Sequence, residues 1–419
     1  MTFVGNQIPR HVLDFARVSE FLGLLQPLTP YGRDILDSTG FIENGATLER
    51  LYDDIEAAGR AVRTLQSKGT AFERVCWHLG RMPRLPSIGD ADSWGLMELF
   101  LVKKFLAHCK AAGSLLDDAT VHYFGLDFAC EGLLAHLAAG NADAESFAIT
   151  ERHEPRLAAI RTRLSELTAQ AKTYRKNLES RVRDSHGLEF MGREFLLVTH
   201  EKGLALARVC SEPDAPRIEV EPYDERYVKI RLLPDADLLT LEEERRAARE
   251  MERTLEEIVI RRLAQETASC SEQIERAVQA IGRFDAALAR WTLANSWHMT
   301  RPQLGRAEWS CRGGRLVPLA LECQERGFAY VPLDLELDKP VALLTGSNMG
   351  GKTCVLQTVL FLQVLAQTGN FVPADSLQAP LCAWVDVVGS EIDSNGARRG
   401  LSSFGYEIHR LTQVLRRAR

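Results

Sequence analysis

Apolar residues recur at helical spacing from His11 to Leu25 and again from Thr47 to Leu65. Pro27 and Pro30 stop the first segment, and Gly40 and Gly45 mark the next break. Ser93 to Ala112 and Gly132 to Ala139 continue the pattern, so residues 10 to about 150 read as a helical core. No charged or histidine constellation there points to chemistry. Leu157, Ile160, Leu164, Leu167, Ala171, Tyr174 and Leu178 then follow a 3-4-3-4-3-4 spacing, an apolar seam on one long helix. Beyond it the period changes. Phe195–Val198 and Tyr227–Leu233 read as short strands, with Gly203, Pro213, Pro216 and Pro222 between them. Helix resumes near Leu241, with Ala247, Met251, Leu255, Val259 and Leu263 four apart, and Ile274 to Trp291 restore the 3-4 alternation. The pattern predicts a long helix going out, a small β tip, and a return helix reaching roughly 75 Å at 1.5 Å per residue. After Pro302 strands and turns take over. Val341–Leu344 is predicted to be a buried parallel strand, and Cys354–Leu362 a mostly buried helix.

Composition narrows the class. The 419 residues suffice for two or three domains, and a net charge of −6 with 26% charged residues excludes a generic polyanion binder. No apolar stretch approaches the length that spans a membrane. Met1 to Gln7 carries no basic-then-apolar signal, and the nine cysteines form no C-x-x-C pair. A cytoplasmic chain with free thiols is the expectation.

Between the predicted strand and helix stands Thr345-Gly346-Ser347-Asn348-Met349-Gly350-Gly351-Lys352-Thr353, a full match to G-x-x-x-x-G-K-[ST]. Glycines let backbone N–H groups converge on phosphates, and a helix N-terminus adds positive potential. The expected nucleotide site is therefore Gly346, Ser347, Asn348, Met349, Gly350, Gly351, Lys352 and Thr353. Lys352 is expected to meet the β- and γ-phosphates of ATP, and the Thr353 hydroxyl to complete the Mg²⁺ shell. Tyr330, upstream of the loop, has two readings: a ring stacked on the base, or a buried core tyrosine.

Gly-Ser-Asn-Met-Gly-Gly-Lys-Thr resembles the phosphate loop of the MutS family, usually Gly-Pro-Asn-Met-Gly-Gly-Lys-Ser/Thr. Tyr330-Val331-Pro332 resembles that family's Phe-Val-Pro strand, whose aromatic stacks on adenine. Val388-Gly389-Ser390-Glu391-Ile392-Asp393 resembles its Val-Gly-x-x-Asp-Asp segment. Ser402-Ser403-Phe404-Gly405-Tyr406-Glu407-Ile408 resembles its Ser-Thr-Phe-Met-x-Glu-Met motif, which faces the partner subunit's nucleotide. The resemblance implies a mainly α chain with a C-terminal α/β domain. Its parts would be a helical core and lever over 1–150, and a long antiparallel coiled-coil arm with return lever over 151–300. The arm would carry its β tip at about 187–235. Residues 301–419 would form the N-terminal part of a P-loop ATPase domain of the ABC type. It also implies a dimer through that domain, with Ser402 and Ser403 reaching the other subunit's nucleotide. The function implied is a DNA-associated ATPase of mismatch-repair type whose nucleotide state moves a clamp-like arm. The alternative is an ATP-dependent reactivase of a cobalamin- or pyridoxal-dependent aminomutase, since the family includes such relatives.

Three departures accompany the match. No mismatch-reading domain precedes the core: Phe41-Ile42-Glu43 spells Phe-x-Glu but lies between two core helices, and Phe147 to Arg161 looks like the MutS branch lacking such domains. The tip is acidic, with seven Lys/Arg against nine Asp/Glu from Glu189 to Leu233, whereas phosphate contacts need local basic excess. Lys172, Arg175, Lys176, Arg181 and Arg183 below it are the basic cluster, a pattern also typical of a solvated helix face. Third, the family places a strand ending in Asp-Glu after the Ser-Thr-Phe helix, while this sequence stops at Leu415-Arg416-Arg417-Ala418-Arg419. The expectation is an incomplete ATPase domain with an open sheet edge, from a fragment or from a protein completed by a second polypeptide. Asp386 and Glu391, in the preceding loop, are not expected to replace the missing acids.

Overall fold

A computed structural model describes residues 8–141, 143–209, 218–339, 341–347, 350–388, 408–409, 411–413 and 416. In chain order the helical part comprises α1 (Arg10–Phe15), α2 (Val18–Leu22), α3 (Pro30–Ser38), α4 (Gly45–Gln66), α5 (Ala71–Arg81), α6 (Leu96–Gly113), α7 (Asp118–Phe124), α8 (Glu131–Leu137) and α9 (Arg156–His186). There follow β1 (Phe195–Thr199), α10 (His200–Val209), β2 (Ile218–Pro222), β3 (Tyr227–Leu232), α11 (Ala236–Ser269) and α12 (Ser271–Ser296). The last part comprises β4 (Gln303–Leu304), β5 (Trp309–Gly314), α13 (Val317–Glu325), β6 (Leu333–Leu337), α14 (Lys352–Gln367) and β7 (Ser376–Ala379). The chain is mainly helical with two small sheets. It divides into two compact units: Met1–Pro86, Leu101–Leu134 and Ser269–Arg419 in one, Ser87–Phe100 and Ala135–Ala268 in the other.

In the first unit, caps and one buried carboxylate set the helix positions. The Thr29 side chain accepts from Gly32 N at the start of α3, with Pro30 at the first helical position, and Asn44 accepts from Thr47 N at the start of α4. Asp285 of α12 is buried and accepts from Leu28 N, Thr29 N and the Thr29 hydroxyl at 2.7–2.9 Å, which ties the α3 entry to α12. Gly32 leaves room for that carboxylate, since a Cβ there would lie 2.2 Å from Asp285 Oδ2. The predicted helix from His11 to Leu25 is in fact two, because Arg17 turns left-handed (φ 55°) between α1 and α2. The sheet runs β4-β7-β5-β6, with β5 antiparallel to both neighbours and β4 parallel to β7. Trp309, Cys311, Leu377 and Ala379 of this sheet join Val12, Phe21, Leu293 and Phe361 to Ala366 in one apolar core. That core packs the C-terminal half of α14 between sheet and helices.

Val341–Leu344 differs from its prediction. It is not a strand, and Val341 and Leu343 are 84% and 89% exposed. A strand exists only where a neighbour takes its N–H and C=O groups. No described segment pairs with these four residues.

In the second unit α9 and α11 lie antiparallel. Arg161 donates to Glu252 (2.7 Å) and Glu256 (2.8 Å), Arg163 to Glu244 (2.7 Å), and the Tyr174 hydroxyl to Asp235 (2.7 Å). Leu157, Leu167, Ala171 and Leu178 of the predicted seam are buried. On α11, Leu255, Val259 and Leu263 are buried, but Met251 is 58% exposed. A spacing of four residues gains on the 3.6-residue turn, so a row of such positions drifts off the contact face. The single return helix expected is two helices separated at Cys270 (φ −99°, ψ 11°). The three-stranded sheet is β1-β3-β2, all antiparallel, with β2 an additional strand; α10 is likewise additional to the prediction. Ile230 of this sheet packs with Val182, Leu188 and Phe190, and Leu196, Val198, Ile218, Val220 and Leu232 lie against them. On the outer face Lys229 sits over the Phe195 ring at 4.4 Å, and Arg231 lies 3.7 Å from Glu221. The cations of this face are thus engaged by neighbours on it. Among the basic residues of α9, Arg175 and Arg183 pair with Glu179 and Asp184, while Lys172, Lys176 and Arg181 make no ion pair among the described residues.

Candidate nucleotide-binding site

The glycine-rich loop leads directly into α14, whose first residue is Lys352. Gly351 takes a left-handed conformation (φ 77°), open to glycine at no steric cost. Gly350 N donates to Ser347 O at 3.1 Å, and a Cβ on Gly350 would lie 3.0 Å from that oxygen. The loop therefore closes tightly just before the helix. Val355 N makes the first intrahelical bond, to Gly351 O, which leaves the N–H groups of the opening turn without helical acceptors. The Lys352 ammonium donates to Gly346 O (2.8 Å) and Ser347 O (2.6 Å). Both acceptors are neutral, so the loop holds a cation whose charge no described carboxylate offsets. Gly346, Ser347, Gly351 and Thr353 are exposed. A solvated cation, a turn of free N–H groups and a hydroxyl at the second helical position suit a polyphosphate with its divalent ion. Asn348 and Met349 lie outside the described residues, as do Gly389 to Asp393 and Ser402, Ser403 and Glu407.

Helix α14 is anchored at three heights. Gln357 Nε2 donates to Phe15 O (2.9 Å), and the Phe361 ring meets Phe21 edge-on at 5.4 Å. At the far end the Tyr52 hydroxyl donates to Ala366 O (2.7 Å). Gln363 and Gln367, both buried, form an amide pair there. Sequence reasoning passed over this pair. Two glutamines four apart in an otherwise apolar helical run were the available signal, because buried amides must find partners.

Tyr330 is half-buried, and its hydroxyl accepts from Leu316 N at 2.8 Å beside the Thr358 side chain of α14. Burial raises its pKa above the ordinary phenol value. The ring is thus held by its oxygen between the start of α13 and α14, whichever face it offers a base. Asp386 is also engaged. Its Oδ1 accepts from His11 Nε2 (2.7 Å), an ionised carboxylate being an acceptor only, and from Val387 N (2.8 Å). The pairing with His11 ties this carboxylate to α1.

A family profile described as MutS domain V matches residues 342–419, a span that includes the glycine-rich loop and α14. The chain is 25% identical to the DNA mismatch repair protein MutS of Natronomonas pharaonis over 420 residues, covering 97% of this chain and 44% of that protein. It is 30% identical to the DNA mismatch repair protein MutS of Thermus thermophilus over 301 residues, covering 68% of this chain and 34% of that protein. The chain belongs to the MutS family. A third similar protein is Endonuclease MutS2 of Thermus thermophilus, 28% identical over 277 residues (65% of this chain, 34% of that protein). This MutS-family chain therefore spans less than half the length of these relatives.

Replacing Tyr330 by Phe removes the acceptor of a part-buried N–H. The expected cost is about 1–3 kcal/mol, read as a lower midpoint in thermal or denaturant unfolding. An unchanged midpoint would show that the Leu316 amide finds water instead and that the hydroxyl does not hold the ring.

Proposed function

We propose that this chain binds ATP–Mg²⁺ through Gly346 to Thr353 and forms the helical, arm and nucleotide-binding parts of a DNA-associated MutS-type ATPase. The observation that carries the reading is the Lys352 ammonium, bound among the described residues by loop carbonyls alone, at the mouth of a solvated helix N-terminus. Polyphosphate oxygens would replace those carbonyls as its partners, Thr353 would ligate the metal, and the Tyr330 ring would lie against the base. Residues 1–150 serve as core and lever, 151–300 as the arm, and 301–419 as the nucleotide-binding part. Asn348 and Met349 belong to the same cradle, and Ser402 and Ser403 to the contact with a second subunit's nucleotide.

Hydrolysis needs a carboxylate to order water and metal. The same proposal places it on a strand, from a longer form of this chain or from a second polypeptide, that pairs with Val341–Leu344 and covers its exposed apolar side chains. Phosphate release by the purified chain should then be feeble, and Asp386→Asn should leave it unchanged. Brisk release that vanishes in Lys352→Ala would place the catalytic acids within this chain and contradict the division of labour.

The second reading, an ATP-dependent remodeller of a protein such as an aminomutase, draws on the tip. There Lys229 and Arg231, the cations of the outer sheet face, are engaged by Phe195 and Glu221. Duplex binding measured against salt separates the two. If DNA is the client and α9 alone meets it, Lys172, Lys176 and Arg181 are the cations available, and log K against log[salt] should fall with a slope no steeper than about −3. Lys172→Glu with Lys176→Glu should abolish binding. ATP binding without any duplex binding at low salt would favour the remodeller.

A further inference from the structure

The buried end of α14 carries a polar joint that the nucleotide site itself does not need. Gln363 Oε1 accepts from Trp309 Nε1 (3.1 Å), while its Nε2 donates to Gln367 Oε1 (2.7 Å) and Pro380 O (2.9 Å). Gln367 Nε2 donates to Ile42 O (3.0 Å) and Cys382 O (2.7 Å), and its Oε1 also accepts from Cys382 N (2.9 Å). Ile42 N in turn donates to the Gln367 carbonyl at 2.8 Å. Every polar atom of both amides is thus used, away from water. Gln367 holds two separate segments at once: Ile42, two residues before the Asn44 cap of α4, and Cys382, four residues before Asp386.

A 16-residue helix is a rod of about 24 Å, and its hydrogen-bonded backbone transmits displacement rather than absorbing it. One end of this rod is Lys352 and the other is Gln367. A lone apolar end would slide between packed side chains. An end held by directional bonds to two backbone segments cannot move without carrying them or breaking buried bonds, which is costly. We propose that Gln367, buttressed by Gln363, is a positioning residue that couples phosphate occupancy at Lys352 to the N-terminus of α4 and to the 380–386 segment. This inference rests on the nucleotide-binding reading above. It goes beyond that reading in naming the joint and the two segments that respond.

Amide hydrogen exchange of the full chain, with and without ATP–Mg²⁺, tests it. In the wild type, nucleotide should alter exchange in three places: the loop (345–354), the α4 entry (41–48) and 380–386. In Gln367→Met, which keeps volume but removes the amide, ATP affinity should stay within about threefold of wild type and the loop response should remain. The responses at 41–48 and 380–386 should fall by at least half. A merely structural role would raise exchange there equally with and without nucleotide and leave the ATP-dependent difference intact, which overturns the proposal. The wild-type arm decides even if Gln367→Met does not fold. A loop that responds while both distant segments stay silent overturns the joint alone. A loop that does not respond overturns the nucleotide reading, and the joint with it.

Discussion

One helix has to begin in water and end in the core, and the architecture of the first unit follows from that requirement. In α14, Thr353 and Leu356 are exposed, while Phe361 to Gln367 are buried without interruption. The wet end presents free N–H groups and the Lys352 ammonium, as a polyanion site demands. The dry end offers its polar groups no solvent, so each needs a protein partner. Gln363, Gln367, Tyr52 and Thr368 provide these partners, and in doing so bind the helix to the sheet, to the α4 entry and to the segment that follows β7. Packing of Phe361 against Phe21, and of Phe21 against Trp297, extends the same anchorage into the helical core.

Helix and strand respond differently to missing neighbours. A helix satisfies its own backbone, so α14 and its loop stand ready in this chain alone. A strand satisfies its backbone through another strand, so Val341–Leu344 stays exposed and unpaired among the described residues. Among the described residues the glycine-rich loop is thereby backed by its helix and left without a paired strand before it.

The glycine-rich loop stands out in the sequence because phosphate chemistry demands particular residues at fixed spacing, and the family resemblance follows from Asn348 and Met349 within it. The apolar seam of α9 was legible because a 3-4 alternation leaves one face buried whatever lies opposite. The equal spacing of four on α11 was less faithful, since helical drift carries Met251 out of the seam. The break at Cys270 has no proline or glycine to announce it. The predicted strand at Val341 failed for a reason no local pattern contains: its apolar residues suit burial, but burial needs a partner. Likewise the Gln363–Gln367 joint and the His11–Asp386 pair join residues hundreds of positions apart, and only the fold brings them together. Tyr330 held two readings in the sequence, and its bond to Leu316 N adds a third element, a ring fixed by its hydroxyl.

The central claim is that Lys352, held by loop carbonyls at the head of α14, is the phosphate-binding cation of an ATP site. Calorimetric titration of the 419-residue chain with ATP–Mg²⁺, wild type beside Lys352→Ala, tests it most directly. A charge-assisted bond to phosphate is worth about 1.5–3 kcal/mol, so the variant should bind at least roughly tenfold more weakly while its unfolding midpoint is retained. Equal affinity in the two proteins would place the nucleotide elsewhere and contradict the account.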